Sequence, residues 1–212
     1  MSGLFISIEG TDGSGKTTQI KLLEKYLKDK GFYVVCTREP GGNPISEKIR
    51  EIIIDKENTE MTAVTEALLY AAARAQHVSN DIMPILNDGG IVISDRFLDS
   101  SLVYQGYARG LGIKTVKDIN RYAVDGLEPD MTFFLRLKPQ DGINRKKNQD
   151  KHELDRMESE DEKFHTMVYS GYMQLARRNK KRIHVVDALK SVEDIHAEIV
   201  GAVERLFKEK GI

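Results

Sequence analysis

A parallel α/β sheet of five strands, flanked by helices on both faces, is the fold class that three features of this sequence predict. Short runs rich in Val, Ile or Phe alternate with longer helix-like stretches from one end of the chain to the other. Each apolar run is bounded by Gly, Pro, Asp or charged residues. The first run is followed at once by Gly10-Thr11-Asp12-Gly13-Ser14-Gly15-Lys16-Thr17, a full match to G-x-x-x-x-G-K-[ST].

The elements follow in order. Phe5–Ile8 is the first expected strand, and the glycine-rich loop leads from it into a helix over Thr17–Lys30. Tyr33–Thr37 is the second strand, followed by helices over Ile45–Ile54 and Ala63–Leu86. Ile91–Ser94 follows a Gly-Gly pair, then a helix over Lys114–Val124 and a strand over Thr132–Leu137. A helix over Asp161–Asn179, a strand over Ile183–Val186 and a helix over Val192–Glu209 complete the series. The last helix shows its period plainly, with Ile195, Ile199, Val203 and Leu206-Phe207 on one face. Gln140 to Asp161 stands apart: it is crowded with charge and poor in large apolar residues, and is expected to be a solvated, mobile flap. The whole chain, 1–212, reads as one domain carrying that flap as a lid over about 140–161.

Composition narrows the class. With 40% hydrophobic and 31% charged residues in 212, the chain can bury a sizeable core and stay in water. A net charge of -1 provides no field for nucleic acid polymers or membrane surfaces. No run approaches the about 18 apolar residues of a membrane span, and no secretory leader is evident, so a cytoplasmic location is expected. A single cysteine, Cys36, excludes an internal disulfide framework and is expected to be a buried thiol.

The loop carries the clearest chemistry. Its glycines let backbone N–H groups converge on a polyphosphate, and the following helix adds the positive end of its dipole. Lys16 supplies a point charge toward β- and γ-phosphates, and the Thr17 hydroxyl is a ligand for Mg²⁺. Gly10, Thr11, Asp12, Gly13, Ser14, Gly15, Lys16, Thr17 and Thr18 are thus the expected donor-binding set, with ATP and Mg²⁺ as cofactors. Other polar clusters follow other strands, as ligand sites do at the carboxyl ends of such sheets. Arg38-Glu39-Pro40-Gly41-Gly42 follows the second; it reads either as a ligand-hugging path or as a strand-to-helix turn with solvated charges. Asp95-Arg96 ends the third, where an aspartate belongs to the magnesium shell and an arginine can grip a second phosphate bidentately. Tyr70 and Arg74, four apart, share one helix face and pair an aromatic plane with a guanidinium, although aromatics at that spacing are more commonly core.

Glu9 to Thr18, Thr37 to Gly42, Tyr70-Ala71-Ala72-Ala73-Arg74, Asp95-Arg96, Ser100-Ser101 and Tyr104-Gln105 together resemble the thymidylate kinase family in order and spacing. The resemblance runs from about Leu4 to the final helix. It implies a P-loop NTPase fold and a homodimeric enzyme that passes the γ-phosphoryl group of ATP to dTMP. It also implies roles: Tyr70 stacking on thymine, Arg74, Ser101 and Gln105 on the base edge, and Tyr104 beside the sugar 2′ position, disfavouring ribose. Glu39 and Pro40 belong to the substrate side, Arg96 to the acceptor phosphate, and Asp12 to the sugar 3′-hydroxyl and metal shell. Gly13 and Ser14 leave the loop without an arginine, so the chain resembles the type whose catalytic arginine sits in the lid. Arg145 and Arg156 are favoured there over Lys146, Lys147 and Lys151 for their geometry. The catalytic set expected is therefore Lys16, Arg96, Asp12, Arg145 and Arg156, with Thr17 and Asp95 at the metal.

No general base is required for such a reaction, because a phosphate monoester with a second pKa of about 6 is already ionised at neutral pH. A kinase acting on a sugar hydroxyl would need a carboxylate base, and Glu39 keeps that alternative open. Another nucleoside monophosphate kinase is the nearer rival. A regulatory nucleotide switch is the more distant one, since no N-K-x-D motif for reading guanine is present.

Overall fold

The computed structural model describes residues 3–147 and 155–212. Five parallel strands form one sheet in the order β2-β3-β1-β4-β5. They are β1 (Leu4–Glu9), β2 (Val34–Arg38), β3 (Ile91–Asp95), β4 (Met131–Arg136) and β5 (Ile183–Asp187). The expected five-stranded parallel sheet is thus present, each strand within two residues of its sequence-derived bounds.

Strict alternation along β1 sorts its side chains into two layers. Leu4, Ile6 and Ile8 join Ile91, Ile93, Phe133 and Leu135 on one face, beneath α1 (Lys16–Asp29) and α9 (Val192–Lys210). Leu23 and Leu27 of α1 and Ile199 and Val203 of α9 close that layer, all essentially without exposure. Phe5 faces the other way, into Val92, Phe97, Val78 and Ile82. Ser7 and Glu9, two and four residues on, share that second face and are fully buried.

Over the second face lie α2 (Pro44–Ile54), α3 (Ala63–His77), α4 (Met83–Asn87), α5 (Leu98–Ser101), α6 (Ile113–Val124) and α8 (Glu162–Arg178). The long helix expected over Ala63–Leu86 is one run, α3 to α4, interrupted by a π-helical turn at Val78–Ile82. Pro84 sits just past that turn; lacking an N–H, it cannot extend a regular ladder back through it. A second π-helical stretch, Leu102–Ala108, continues α5. The sequence reading did not foresee this element, because neither strand alternation nor a 3.6-residue period is visible in it.

Within the charged segment, two features were not expected. Pro139–Lys147 forms a helix, α7, and Met157 is buried in the cluster with Phe164 and Val168 instead of being solvated. Lys151, expected as a lid cation, lies outside the described residues.

Four helices are closed at their N-termini by side chains. Asn43, Thr62, Asp161 and Ser191 cap α2, α3, α8 and α9 with their own side chains. Helix α1, like α6, has no such cap: its N-cap is Gly15 at φ 92°, which leaves its first N–H groups without a side-chain partner.

Candidate active site

Register brings the reactive strand ends level. Arg38 and Ile8 both lie opposite Asp95, so the tips of β2, β3 and β1 meet at one rim of the sheet. Two clefts open there and share Asp12, Glu39, Arg50 and Arg96 in their walls.

The second cleft is the phosphate loop. Gly13, Gly15, Lys16, Thr17 and Thr18 line it, with Asp95 across from them. Lys16 Nζ donates to the Gly10 and Thr11 carbonyls at 3.2 and 3.3 Å, and Asp12 Oδ1 stands 3.8 Å away. Burial, helped by Arg96, holds its pKa below the ordinary lysine value. Asp95 Oδ1 is buried with no hydrogen-bond partner among the described residues, as is the Ser14 hydroxyl. Thr11 instead donates its hydroxyl to the Leu137 carbonyl at 3.3 Å, tying the loop to the residue just past β4. Helix α7 leans on the loop through glycines: a Cβ on Gly142 would stand 2.5 Å from the Asp12 carbonyl oxygen.

The first cleft, about 740 Å³ counted to its open mouth, is lined by Pro40, Tyr70, Arg74, Ser101, Tyr104 and Gln105 among others. Arg74 is its floor and is only 2% exposed. Its Nε donates to Glu39 Oε2 at 2.7 Å, Nη2 to Ser101 Oγ at 3.0 Å and to the Phe97 carbonyl at 3.3 Å, and Nη1 to Asn120 Oδ1. Four of its five N–H groups are therefore taken, leaving one on Nη1. Gln105 donates Nε2 to Glu66 Oε1 at 3.0 Å, and its own Oε1 is buried with no partner. Because Glu66 can only accept, the Gln105 amide cannot turn over without setting oxygen against oxygen.

Arg96 stands at the junction. It adopts φ 71°, a left-handed conformation that a β-strand tip reaches only under constraint. Its Nη2 donates to Asp12 Oδ1 at 2.9 Å, its Nη1 to Tyr172 Oη at 3.3 Å and Ser100 Oγ at 3.4 Å. The guanidinium carbon lies 5.3 Å from the Tyr104 ring centre. Burial pushes the Tyr104 hydroxyl pKa up to about 12, so the ring stays neutral and presents its face to the cation.

Of the residues that the sequence singles out, Asp12, Lys16, Thr17, Thr18, Glu39, Pro40, Tyr70, Arg74, Asp95, Arg96, Ser101, Tyr104 and Gln105 line one cleft or both. Arg145 and Arg156 line neither. Arg145 donates to the Gly13 carbonyl at 3.3 Å and the Ala188 carbonyl at 2.7 Å, on the outer side of the loop. Arg156 donates Nε to the Ile53 carbonyl at 2.7 Å and pairs with Glu66 at 2.8 Å. Sequence reasoning missed Arg50, which lines both clefts and donates to the Pro40 carbonyl at 3.1 Å. It also missed Asn120 and Tyr172, which hold the two arginines. Nothing local marks these residues; each is one polar position on an amphipathic helix.

The model of the family described as thymidylate kinase matches residues 8–199. A thymidylate kinase of Bacillus pumilus is 45% identical over 212 residues, covering 100% of both chains. One of a Geobacillus species is 48% identical over 203 residues, 96% of this chain and 97% of that protein. The crystal structure of a thymidylate kinase from Ehrlichia chaffeensis superposes with a TM-score of 0.76 at 31% identity, over 96% of this chain and 99% of that one. Sequence, fold and the paired clefts agree: the chain belongs to the thymidylate kinase family.

Proposed function

We propose that this enzyme transfers the γ-phosphoryl group of ATP to dTMP, giving dTDP and ADP. The observation that carries the reading is Arg96, whose guanidinium stands in the wall shared by a phosphate-loop cleft and a base-sized cleft. ATP occupies the loop, with its β- and γ-phosphates on Lys16 and the N-terminus of α1. The acceptor lies in the first cleft with its phosphate on Arg96, and Arg50 and Asp12 flank the gap. Its attacking oxygen is already ionised, so the protein's task is to hold two anions head to head and neutralise them.

Glu39 is unsuited to act as a base for a sugar hydroxyl. One oxygen accepts from Arg74 and the other lies 3.0 Å from His77 Nδ1. That disposes against the nucleoside kinase alternative.

The first cleft also carries a readable polarity. Thymine offers an N3–H donor beside the O4 acceptor; the orphaned Gln105 Oε1 and the last N–H of Arg74 are the complementary pair. Tyr70 supplies a flat wall for the ring, Ser101 a further hydroxyl at its edge, and Tyr104 the bulk beside the sugar 2′ position. Arg145 touches the loop at Gly13, and we assign it to the donor side. A catalytic part for Arg156 requires it to exchange its partner Glu66.

Magnesium fits the residues present. The unpartnered Asp95 Oδ1 and the Thr17 hydroxyl line the same cleft and would hold the ion's shell. Bound there, the ion supplies charge neutralisation at the transferred phosphoryl group.

The assembly we propose is a homodimer formed through α3 and its neighbours. Val64 and Leu68, four apart on α3, are exposed, as are Ile45 and Ile52 on α2 and Tyr122 on α6. No helix among the described residues is long and apolar enough to cross a membrane, and a cytoplasmic place of action is part of the same proposal.

The test is ADP release across a panel of monophosphates. Turnover with dTMP, weaker turnover with dUMP and none with UMP or dCMP supports the assignment. Equal turnover of ribo- and deoxy-forms, or no turnover with any monophosphate, overturns it.

A further inference from the structure

We propose that Glu9 is the positioning residue of the acceptor site: buried beneath Arg96, it fixes both the backbone turn carrying that arginine and the direction of its guanidinium. The inference rests on the reading of Arg96 as the grip on the acceptor phosphate. Glu9 lines neither cleft and is 0% exposed, so it acts only through its neighbours. The alternation of β1 puts it there: Phe5, Ser7 and Glu9 share one face, and Glu9 is the last of them at the strand tip.

Its two oxygens do different things. Oε1 accepts the Phe97 N–H at 2.8 Å, pinning the peptide that follows Arg96. The other bonds at that turn are Arg96 N–H to the Ile8 carbonyl at 3.0 Å and Ser94 Oγ to the Arg96 carbonyl at 2.6 Å. Together they hold a non-glycine residue at φ 71°. Oε2 accepts from the Ser100 hydroxyl at 2.6 Å and the Tyr172 hydroxyl at 2.8 Å. Those same two oxygens accept from Arg96 Nη1. A hydroxyl has one proton. The two hydroxyl oxygens also stand 2.8 Å from each other, so Glu9, Ser100 and Tyr172 close one triangle of hydrogen bonds in which the carboxyl group helps turn hydroxyl lone pairs toward the guanidinium. The Tyr172 ring is itself locked, stacked on Phe134 with centroids 4.8 Å apart.

Glu9→Gln is the discriminating variant, because an amide cannot satisfy both sides. With its NH₂ in the Oε2 place, it donates where Glu9 accepts, and at least one hydroxyl proton must turn toward Arg96 because the two hydroxyls can share only one between them. With its NH₂ in the Oε1 place, it meets the Phe97 N–H donor to donor. One restraint is lost in either case.

The experiment is steady-state kinetics with dTMP and ATP varied separately, on Glu9→Gln, Arg96→Lys, their combination, and Ser100→Ala with Tyr172→Phe. Glu9→Gln is expected to raise KM for dTMP roughly 10- to 100-fold while KM for ATP stays within about twofold. On the Arg96→Lys background it should add little, since both changes break one unit. The Ser100→Ala/Tyr172→Phe pair should raise KM for dTMP in the same sense but less, because the backbone pin survives. If Glu9→Gln does not fold, that pair carries the test, and an unchanged KM for dTMP overturns the proposal. Parallel changes in both KM values, or additivity with Arg96→Lys, also overturn it. If Arg96→Lys itself leaves KM for dTMP unchanged, the grip reading falls and the proposal with it. If Arg96→Lys raises that KM and Glu9→Gln does not, only the role of Glu9 is lost.

Discussion

The two clefts, proposed for the donor and the acceptor, are built by opposite means. The phosphate loop relies on main chain: an uncapped helix N-terminus, glycines in left-handed conformations and one lysine, all within nine consecutive residues from Gly10. The acceptor cleft relies on side chains that hold one another. Arg74 reaches partners 35, 46 and 27 residues away, and Glu9 meets Tyr172 across 163. A backbone cradle is written locally and tolerates change around it. A side-chain cradle exists only after the chain has folded, and each member depends on the others.

Lys16→Ala should have the largest effect, since it removes the side-chain cation that the loop itself contributes. Turnover is expected to fall by roughly 10³-fold or more, with KM for dTMP little changed. A loss confined to KM for ATP would show that the backbone alone performs the donor-side chemistry. Arg96→Ala comes next: kcat/KM for dTMP should drop about 10²- to 10³-fold while ATP binding, read by equilibrium titration, is retained. Equal losses for both nucleotides would erase the distinction between the clefts.

The same contrast explains what was legible before folding. Gly10 to Thr18 could be read as a site because its residues are contiguous and glycine marks the turns. Arg96 and Asp95 were legible because they end a hydrophobic run that had to be a buried strand. Glu39 and the Tyr70–Arg74 pair stood out only weakly by position and spacing; their roles, and Ser101, Tyr104 and Gln105 altogether, entered through the family resemblance. Arg50, Asn120 and Tyr172 had no signal at all, for a polar residue on an amphipathic helix looks the same whether it faces water or a buried guanidinium. The π-helical stretch Leu102–Ala108 was hidden for a different reason: its hydrogen-bond period matches neither of the two patterns that sequence reading tests. The charge around Met157 concealed its burial, because a single apolar residue among charged neighbours leaves no periodic signal.

A third prediction probes what the side-chain cradle costs in stability. Burial, with the Asp99 carboxylate nearby, pushes the Glu9 pKa from 4.5 up to about 7, against the opposing pull of Ser100, Arg96 and Tyr172. A raised carboxyl pKa means that the folded state binds the proton more tightly than the unfolded one. Its contribution is fully present below pH 4.5 and is lost as pH climbs through about 7. Unfolding free energies of the wild type and Glu9→Gln, measured by denaturant titration, should therefore diverge with pH in a fixed sense. The wild type should lose on the order of 3 kcal/mol relative to the variant between pH 4.5 and 8. A difference independent of pH over that range would show that folding does not raise the Glu9 pKa.

The smallest effect tests the backbone cradle where it is most exposed to interference. Gly142 lies on α7, and a Cβ there would stand 2.5 Å from the Asp12 carbonyl oxygen, closer than two such atoms can approach. Gly142→Ala must therefore push α7 away from the loop by a fraction of an ångström or turn the Asp12 peptide. Either shift moves Arg145, which donates to the Gly13 carbonyl from the same helix. None of the side-chain bonds described for Arg74 and Gln105 involves α7, so the base-reading half should be spared. Raised KM for ATP, by about tenfold, with KM for dTMP unchanged is the expected split. A rise in KM for dTMP instead would mean that Asp12, through its bond to Arg96, transmits displacement from the backbone cradle into the side-chain one. The two halves would then be a single mechanical unit.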